Sequence, residues 1–302
     1  MTRIIYSLYI DIPEDELDYQ PPHYGSDISK TLHTKIQFKK NYSWLKHMQE
    51  KYANALNIEY KLFEYDKKYK DYHLWFTKKY PQITSYNIVN FYKIHLMYEL
   101  SKTYEEILYL DFDAIPITNK NFFDYHDLNK GIHILTGTTE SQNKVDTEIN
   151  QIYYESQWRK FRKGHSNRSP TAKYWNARAM CVEDGIDGIH TVYNTGIVGI
   201  NKNYLQKLDY FNKFDRTINL MTDLIKEGKH MYPLYIHELF GYDNECIWAY
   251  KTLLNNVDTI QLNKYWHHFM DKWSYIPNTT NIVHCINKNF KYVREYCEKN
   301  NL

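Results

Sequence analysis

Apolar residues in the first 130 positions fall into short, separated blocks that alternate between strand-like and helix-like spacing. Arg3 to Ile10 reads as a first strand. Asp11 to Thr34 is polar, contains Pro13, Pro21 and Pro22, and reads as a long loop over that strand's carboxyl end. Tyr42 to Leu56 has helical spacing, and Ile58 to Tyr65 reads as a second strand. Ser85 to Leu100 predicts an amphipathic helix, with Ile88, Phe91, Tyr92, His95, Leu96 and Glu99 at helical intervals. It leads into Ile107 to Leu110, an uncharged run of the kind expected of a strand covered on both faces. Alternation of this sort favours an α/β fold with a mainly parallel sheet, crossover helices and ligands at the strand carboxyl ends.

The second half is less regular. Gly131 to Gly137 predicts a strand, and Thr191 to Ile200 another. Helices are expected near Tyr204 to Glu227 and over Asn244 to Leu254, then a strand at Asn281 to Ile286 and a terminal helix around Phe290 to Cys297. Between them, Glu140 to His190 interleaves Arg159, Lys160, Arg162, Lys163, Arg168, Lys173 and Arg178 with Trp158, Phe161, Tyr174 and Trp175. The spacing of Trp158 and Phe161 fits a solvated basic helix with an aromatic stripe in the core. The other reading is an insertion that closes on an acceptor. With no repeat or linker, the chain is expected to form a single domain over 1–302.

Composition narrows the classes. A chain of 302 residues, 43% apolar and 25% charged, can build a substantial core, and a net charge of +2 argues against bulk electrostatic binding of nucleic acid. The 31 tyrosines, alongside abundant Asn, Lys and Ile, point first to codon bias; tyrosine also suits sugar and base surfaces. Cys181, Cys246, Cys285 and Cys297 show no zinc-like spacing and are expected as free thiols in a reducing compartment. No apolar run approaches the roughly 20 residues of a membrane span, and nothing before Arg3 resembles a signal peptide, so a cytoplasmic or other soluble intracellular protein is expected.

The chemistry concentrates at Ile-Leu-Tyr-Leu-Asp-Phe-Asp-Ala-Ile-Pro, residues 107–116. In an extended chain Asp111 and Asp113 share a face. Two carboxylates at a sheet's carboxyl edge make a site for a divalent cation that holds a phosphate-bearing substrate; the plain alternative is an acidic turn. Pro116 stops the ladder from simply continuing.

Four further segments join this one in order: Tyr92-Lys93-Ile94-His95, Tyr193-Asn194-Thr195-Gly196, Tyr242-Asp243-Asn244-Glu245 and Ile282-Val283-His284-Cys285-Ile286-Asn287-Lys288. Together they resemble nucleotide-sugar glycosyltransferases of the GT-A fold, closest to the glycogenin-like, retaining, family 8-type group. The resemblance implies a Rossmann-like domain with a mixed, mainly parallel central sheet flanked by helices. Residues 1–130 would be its nucleotide-binding half and 131–302 its acceptor-side half, with a variable insertion near 140–190. It implies Mn²⁺, with Mg²⁺ as the alternative, held by Asp111, Asp113 and His284. It also implies a nucleoside-diphosphate sugar, UDP-linked, as donor and a hydroxyl group as acceptor. Lys93 would meet the donor, and Lys288 or Lys291 the phosphate. The end of Tyr6-Ser7-Leu8-Tyr9 would receive the base through Tyr9 and the backbone at Leu8. Asn194 and Gly196 would contact the donor sugar, and Asp243 with Glu245 would lie at the sugar and acceptor. Asn287 stands where the family carries glycine.

Other readings follow from the residues themselves. Asp243 and Glu245 suit a helix start, and Asn194 and Gly196 a turn. Lys93 fits a surface lysine, and Tyr9 and His284 fit packed strand residues. Asp-x-Asp after an apolar strand also occurs in haloacid-dehalogenase-like phosphatases, where the first aspartate is phosphorylated; that pair ends the domain's first strand, whereas two strand units precede it here. A third reading is a non-catalytic nucleotide- or sugar-binding protein on the same fold.

Overall fold

Strand β1 (Arg3–Tyr9) carries five consecutive buried residues, and it pairs in parallel with β2 (Glu59–Glu64) on one side and β3 (Glu106–Asp111) on the other. The computed structural model describes residues 2–17, 28–136, 168–186, 191–226, 237, 240–270 and 275–302, apart from the side chains of 168–171. β2 forms the sheet edge and is never fully buried, whereas every residue of β3 before Asp111 is buried. This is why the uncharged run 107–110 was legible as a covered strand.

After β3 the chain turns at 112–113 and enters β4 (Ala114–Pro116), which belongs to a different, three-stranded sheet. β5 (Ile132–Thr136), β6 (Tyr193–Asn201) and β7 (Thr259–Gln261) complete the larger sheet in the order β2-β1-β3-β6-β5-β7. β6 runs antiparallel to β3, with Ile197 opposite Leu110, so the expected mixed α/β sheet is observed. In the small sheet β9 (Ile282–His284) lies between β4 and β8 (His268–Phe269). Ala114 is opposite His284 across the antiparallel β4–β9 pair. Pro116 can sit in β4 because this strand lies at a sheet edge.

Helix α1 (Lys30–Ala55) begins well before the expected Tyr42, with Ser29 Oγ accepting from the Leu32 amide at 3.2 Å. Residues 30–41 hid it because their apolar stripe is poor: Phe38 is only partly buried and Ile36 is exposed. Helix α2 (Lys67–Lys79) was not expected from its lysine-rich sequence. Asp66 caps it at the Tyr69 amide, 2.8 Å away, and Tyr69 and Phe76 anchor one face. α3 (Ser85–Leu100) occurs as expected and buries Ile88, Phe91, Leu96 and even Lys93. The remaining helices are α4 (Phe122–Tyr125), α5 (Arg168–Glu183), α6 (Lys202–Leu208), α7 (Phe214–Ile225), α8 (Asn244–Leu254) and α9 (Phe290–Lys299). Among the described residues no helix is long and apolar enough to cross a membrane.

The chain divides into two compact units. The first comprises Met1–Ile134, Gly196–Lys202 and Ile260–Leu302, and the second Leu135–Thr195 and Asn203–Thr259. In the first, Ile5, Leu108, Leu110, Phe122, Ile197 and Trp266 form one apolar cluster; Phe112, Ile115, Val283, Phe290 and Val293 form another. In the second, Trp248, Tyr210, Ile218 and Met180 are fully buried. Trp158, Arg159, Lys160, Phe161, Arg162 and Lys163 lie outside the described residues.

Candidate metal centre

β3 delivers Asp111 at its last position, and the turn at 112–113 delivers Asp113. The carboxylates therefore converge through a turn, not through the strand alternation expected from spacing alone. Gln49 of α1 holds this turn from beneath, its Nε2 donating to the carbonyls of both Asp111 and Ala114 at 3.1 Å. Tyr60 fixes Gln49 in turn by donating to its Oε1 at 2.6 Å. Long-range pairing of β4 with β9 then brings in His284, and the Cys285 amide donates to the Asp113 carbonyl at 2.9 Å.

His284 Nε2 lies 3.6 Å from Asp111 Oδ2 and 3.6 Å from Asp113 Oδ2. A ligand atom from each of the three residues falls within 4.8 Å of the others. Two ligands bound at about 2.1 Å to one octahedral ion stand about 3 Å apart when adjacent, so only small closure is needed. The donor set, two carboxylates and one imidazole, suits Mn²⁺, and Mg²⁺ less well because of the nitrogen. The residues present fit the expected cation.

Asp111 is held from behind. Tyr109 donates its hydroxyl to Asp111 Oδ1 at 2.5 Å, and Lys93 Nζ stands 3.6 Å from the same oxygen, leaving Oδ2 toward His284. Burial, and then the Asp111 charge, raise the Tyr109 hydroxyl well above its ordinary value, which keeps it a proton donor. Lys93 is buried, with Nζ 5.2 Å from the centre of the Tyr109 ring, so it is no surface lysine. Tyr109 was missed in the sequence because it looked like part of the apolar run; its position two before Asp111 was the available signal.

Lys288 Nζ lies 2.5 Å from Asp113 Oδ2. Burial alone would raise the Asp113 carboxyl, but the Lys288 ammonium and the hydrogen-bonding His284 imidazole outweigh it and hold the group well below the usual range. Burial would lower the Lys288 ammonium, and Asp113 reverses this, so its value is raised. Lys288 has φ of +58°, a left-handed conformation that costs an ordinary residue about 1–2 kcal/mol. Lys291, the competitor for its role, is exposed and faces Glu295 at 3.8 Å.

Gly196 lies against the same cluster. A Cβ added there would stand 2.9 Å from both Asp111 Oδ2 and His284 Nδ1, and closer still to the His284 ring. Only glycine lets β6 pass here. Tyr9 stacks on Phe112 with centroids 5.0 Å apart and also meets Tyr42 at 5.1 Å. Burial, with Asp11 and Glu64, pushes its hydroxyl up to about 12. Leu8 is buried directly opposite Asp111 in the β1–β3 register.

A second acidic cluster lies within the other unit. Asp243 Oδ1 accepts from the amides of Glu245 at 2.7 Å and Cys246 at 3.3 Å, capping α8. Glu245 accepts from the Thr195 amide at 2.6 Å and pairs closely with Lys173, a residue that sequence reasoning left in a basic face. Burial alone would lower the Lys173 ammonium, but Glu245 and Asp243 raise it on balance. Burial raises the Asp243 carboxyl above its ordinary value, against the opposing pull of Lys173. Among the described residues, Asp243 Oδ2 accepts no hydrogen bond. Asn194 is half-buried in the stretch of β6 belonging to this unit.

No family model matches the chain, and no curated protein matches it. Solved structures do. One is a glycosyltransferase involved in the glycosylation of the major capsid of PBCV-1, 13% identical, covering 98% of each chain with a TM-score of 0.40. Another is mouse xyloside xylosyltransferase 1 in its apo form, 11% identical, covering 94% of this chain and 98% of that one with a TM-score of 0.45.

Proposed function

We propose that this chain is a metal-dependent glycosyltransferase that moves a sugar from a UDP-linked donor to a hydroxyl acceptor, with retention of configuration. The observation that carries the reading is the convergence of Asp111, Asp113 and His284 beside Lys288 and Lys93. A phosphoaspartyl mechanism is less favoured, because Tyr109 and Lys93 hold one oxygen of Asp111 and His284 faces the other.

Asp111, Asp113 and His284 would hold Mn²⁺, which when bound supplies a Lewis acid for the donor diphosphate. Lys288 would place its ammonium on the leaving diphosphate, with Lys93 adding positive charge from behind Asp111. The β1 end, with Leu8 and Tyr9, would receive the base, and Gly196 would leave room beside the donor. Asn194 and Asp243 would orient the sugar. Of the two acidic groups in the second cluster we assign the sugar-side role to Asp243, because Glu245 is engaged by Thr195 and Lys173. Four buried, unpaired cysteines fit a reducing, intracellular compartment.

The test is a panel of nucleotide sugars with Mn²⁺, followed for release of free nucleotide. A UDP-sugar should turn over slowly onto water, and Asp243→Asn should lower kcat at least tenfold while donor affinity stays within a few-fold. Binding of UDP and Mn²⁺ with no turnover of any donor would replace the enzyme by a binding protein.

A further inference from the structure

Behind His284 lies a second buried imidazole for which the proposed chemistry has no role. His267 Nε2 is 2.9 Å from His284 Nδ1, and His267 is 2% exposed. We infer that His267 is a positioning residue: it accepts the Nδ1 proton of His284 and so presents the bare Nε2 of His284 to the cation. The inference rests on the reading of Asp111, Asp113 and His284 as metal ligands.

An imidazole binds a metal only through a nitrogen that carries no proton. The nitrogen of His284 that faces the two carboxylates is Nε2, 3.6 Å from each. Ligation therefore requires the proton on Nδ1, and among the described residues His267 lies in hydrogen-bond reach of Nδ1. The opposite arrangement is available to the same pair. His267 Nε2–H then donates to His284 Nδ1, and His284 keeps its proton on Nε2 between the carboxylates, which suits the cluster without a cation. The pair thus has two neutral proton arrangements, and the cation selects one of them. Selection has a cost visible in the structure, because the ligating arrangement puts the His267 proton on Nδ1. That buried atom has no partner among the described residues.

The fold keeps His267 in place. It immediately precedes β8, which pairs in parallel with β9, with Phe269 opposite His284. The Phe269 ring centroid lies 4.9 Å from that of His267, and Trp266 is buried just before it. Such supporting partners of a metal-bound histidine typically change metal affinity 10–100-fold when lost. No local pattern in Trp266-His267-His268 announces this role.

Calorimetry of the full chain with Mn²⁺ alone and with Mg²⁺ alone tests the inference, using His267→Phe, His267→Gln and His267→Asn. Gln places its amide oxygen near the position of Nε2 and accepts from His284, whereas Asn reaches only the position of Nδ1. His267→Phe should weaken Mn²⁺ at least about tenfold and Mg²⁺ less, because the imidazole contributes more to the Mn²⁺ preference. His267→Gln should stay within about threefold of the parent. If the Phe variant does not fold, a Gln variant at least about tenfold tighter for Mn²⁺ than the Asn variant supports the same conclusion. A melting point lowered by His267→Phe with unchanged Mn²⁺ affinity would make His267 purely structural and overturn the inference, leaving the metal site intact. A parent chain that binds no Mn²⁺ would overturn both.

Discussion

Both acidic clusters set carboxylates beside lysines, yet Asp113 is held below the ordinary carboxyl range and Asp243 is raised above it. Around Asp111 the supporting groups bind from behind: Tyr109 and Lys93 take one oxygen, and the other faces the His284 imidazole, whereas at Asp113 Lys288 and His284 share Oδ2. In the second cluster the partners close on Glu245, engaged by Thr195 and Lys173, while the amides of α8 fill only Oδ1 of Asp243. A carboxylate with an inward-facing oxygen, as in Asp111, is poised for a ligand, whereas one engaged by its own fold, as Glu245 is, mainly serves that fold. Burial alone does not separate the two, since Asp113 and Glu245 are both buried. Direction does.

The largest effect should come from Asp113→Asn. It removes the negative charge shared between Lys288 and His284, and Mn²⁺-supported UDP binding should fall at least about a hundredfold by calorimetry, since a ligand contributes at least what its supporting partner does. Unchanged affinity would erase the difference between the clusters. Gly196→Ala sharpens the same point without touching a charge. Its added methyl would overlap the His284 ring, so metal affinity should fall about tenfold or more as the ligands are displaced.

Lys173→Met probes the closed cluster. It leaves Glu245 buried without its cation, a loss of about 3–5 kcal/mol for a fully buried pair. Lys173 keeps one-fifth of its side chain exposed, so roughly 2–3 kcal/mol is expected in denaturant unfolding. Mn²⁺ affinity should not change. A stable variant with weakened metal binding would mean that the roles of the clusters had been exchanged.

How much of this was legible in the sequence depends on range. β3, α3 and α8 were readable because burial imposes a local period or an unbroken apolar run. Asp111 and Asp113 stood out because charge interrupts that run. Their convergence was not readable, since it depends on a turn fastened by Gln49 of α1 and on the pairing of β4 with β9. His284 was reached through motif order and family resemblance. His267 and Lys173 had no local signature, because each acquires its role from a partner distant in sequence. α2 was missed because its buried face is only Tyr69 and Phe76 among lysines.

Asp243→Asn should change stability least. As an N-cap, Asn replaces Asp almost evenly, and the amide oxygen can still accept from the Glu245 and Cys246 amides, so the change should lie within about 1 kcal/mol. The sign follows from the carboxyl itself. Burial raises its value in the folded chain, so above the unfolded value, about 3.9, the native state pays to keep the group charged. The Asn variant has no such term. Its stability relative to the parent should therefore grow as pH rises from about 4 through the raised folded value, then level off at neutral pH. Denaturant melts of both proteins across that range provide the measurement. A variant several kcal/mol weaker at neutral pH would show that the Asp243 charge is stabilised by Lys173 more than burial opposes it, and the second cluster would then be an ion network instead of a capped helix start.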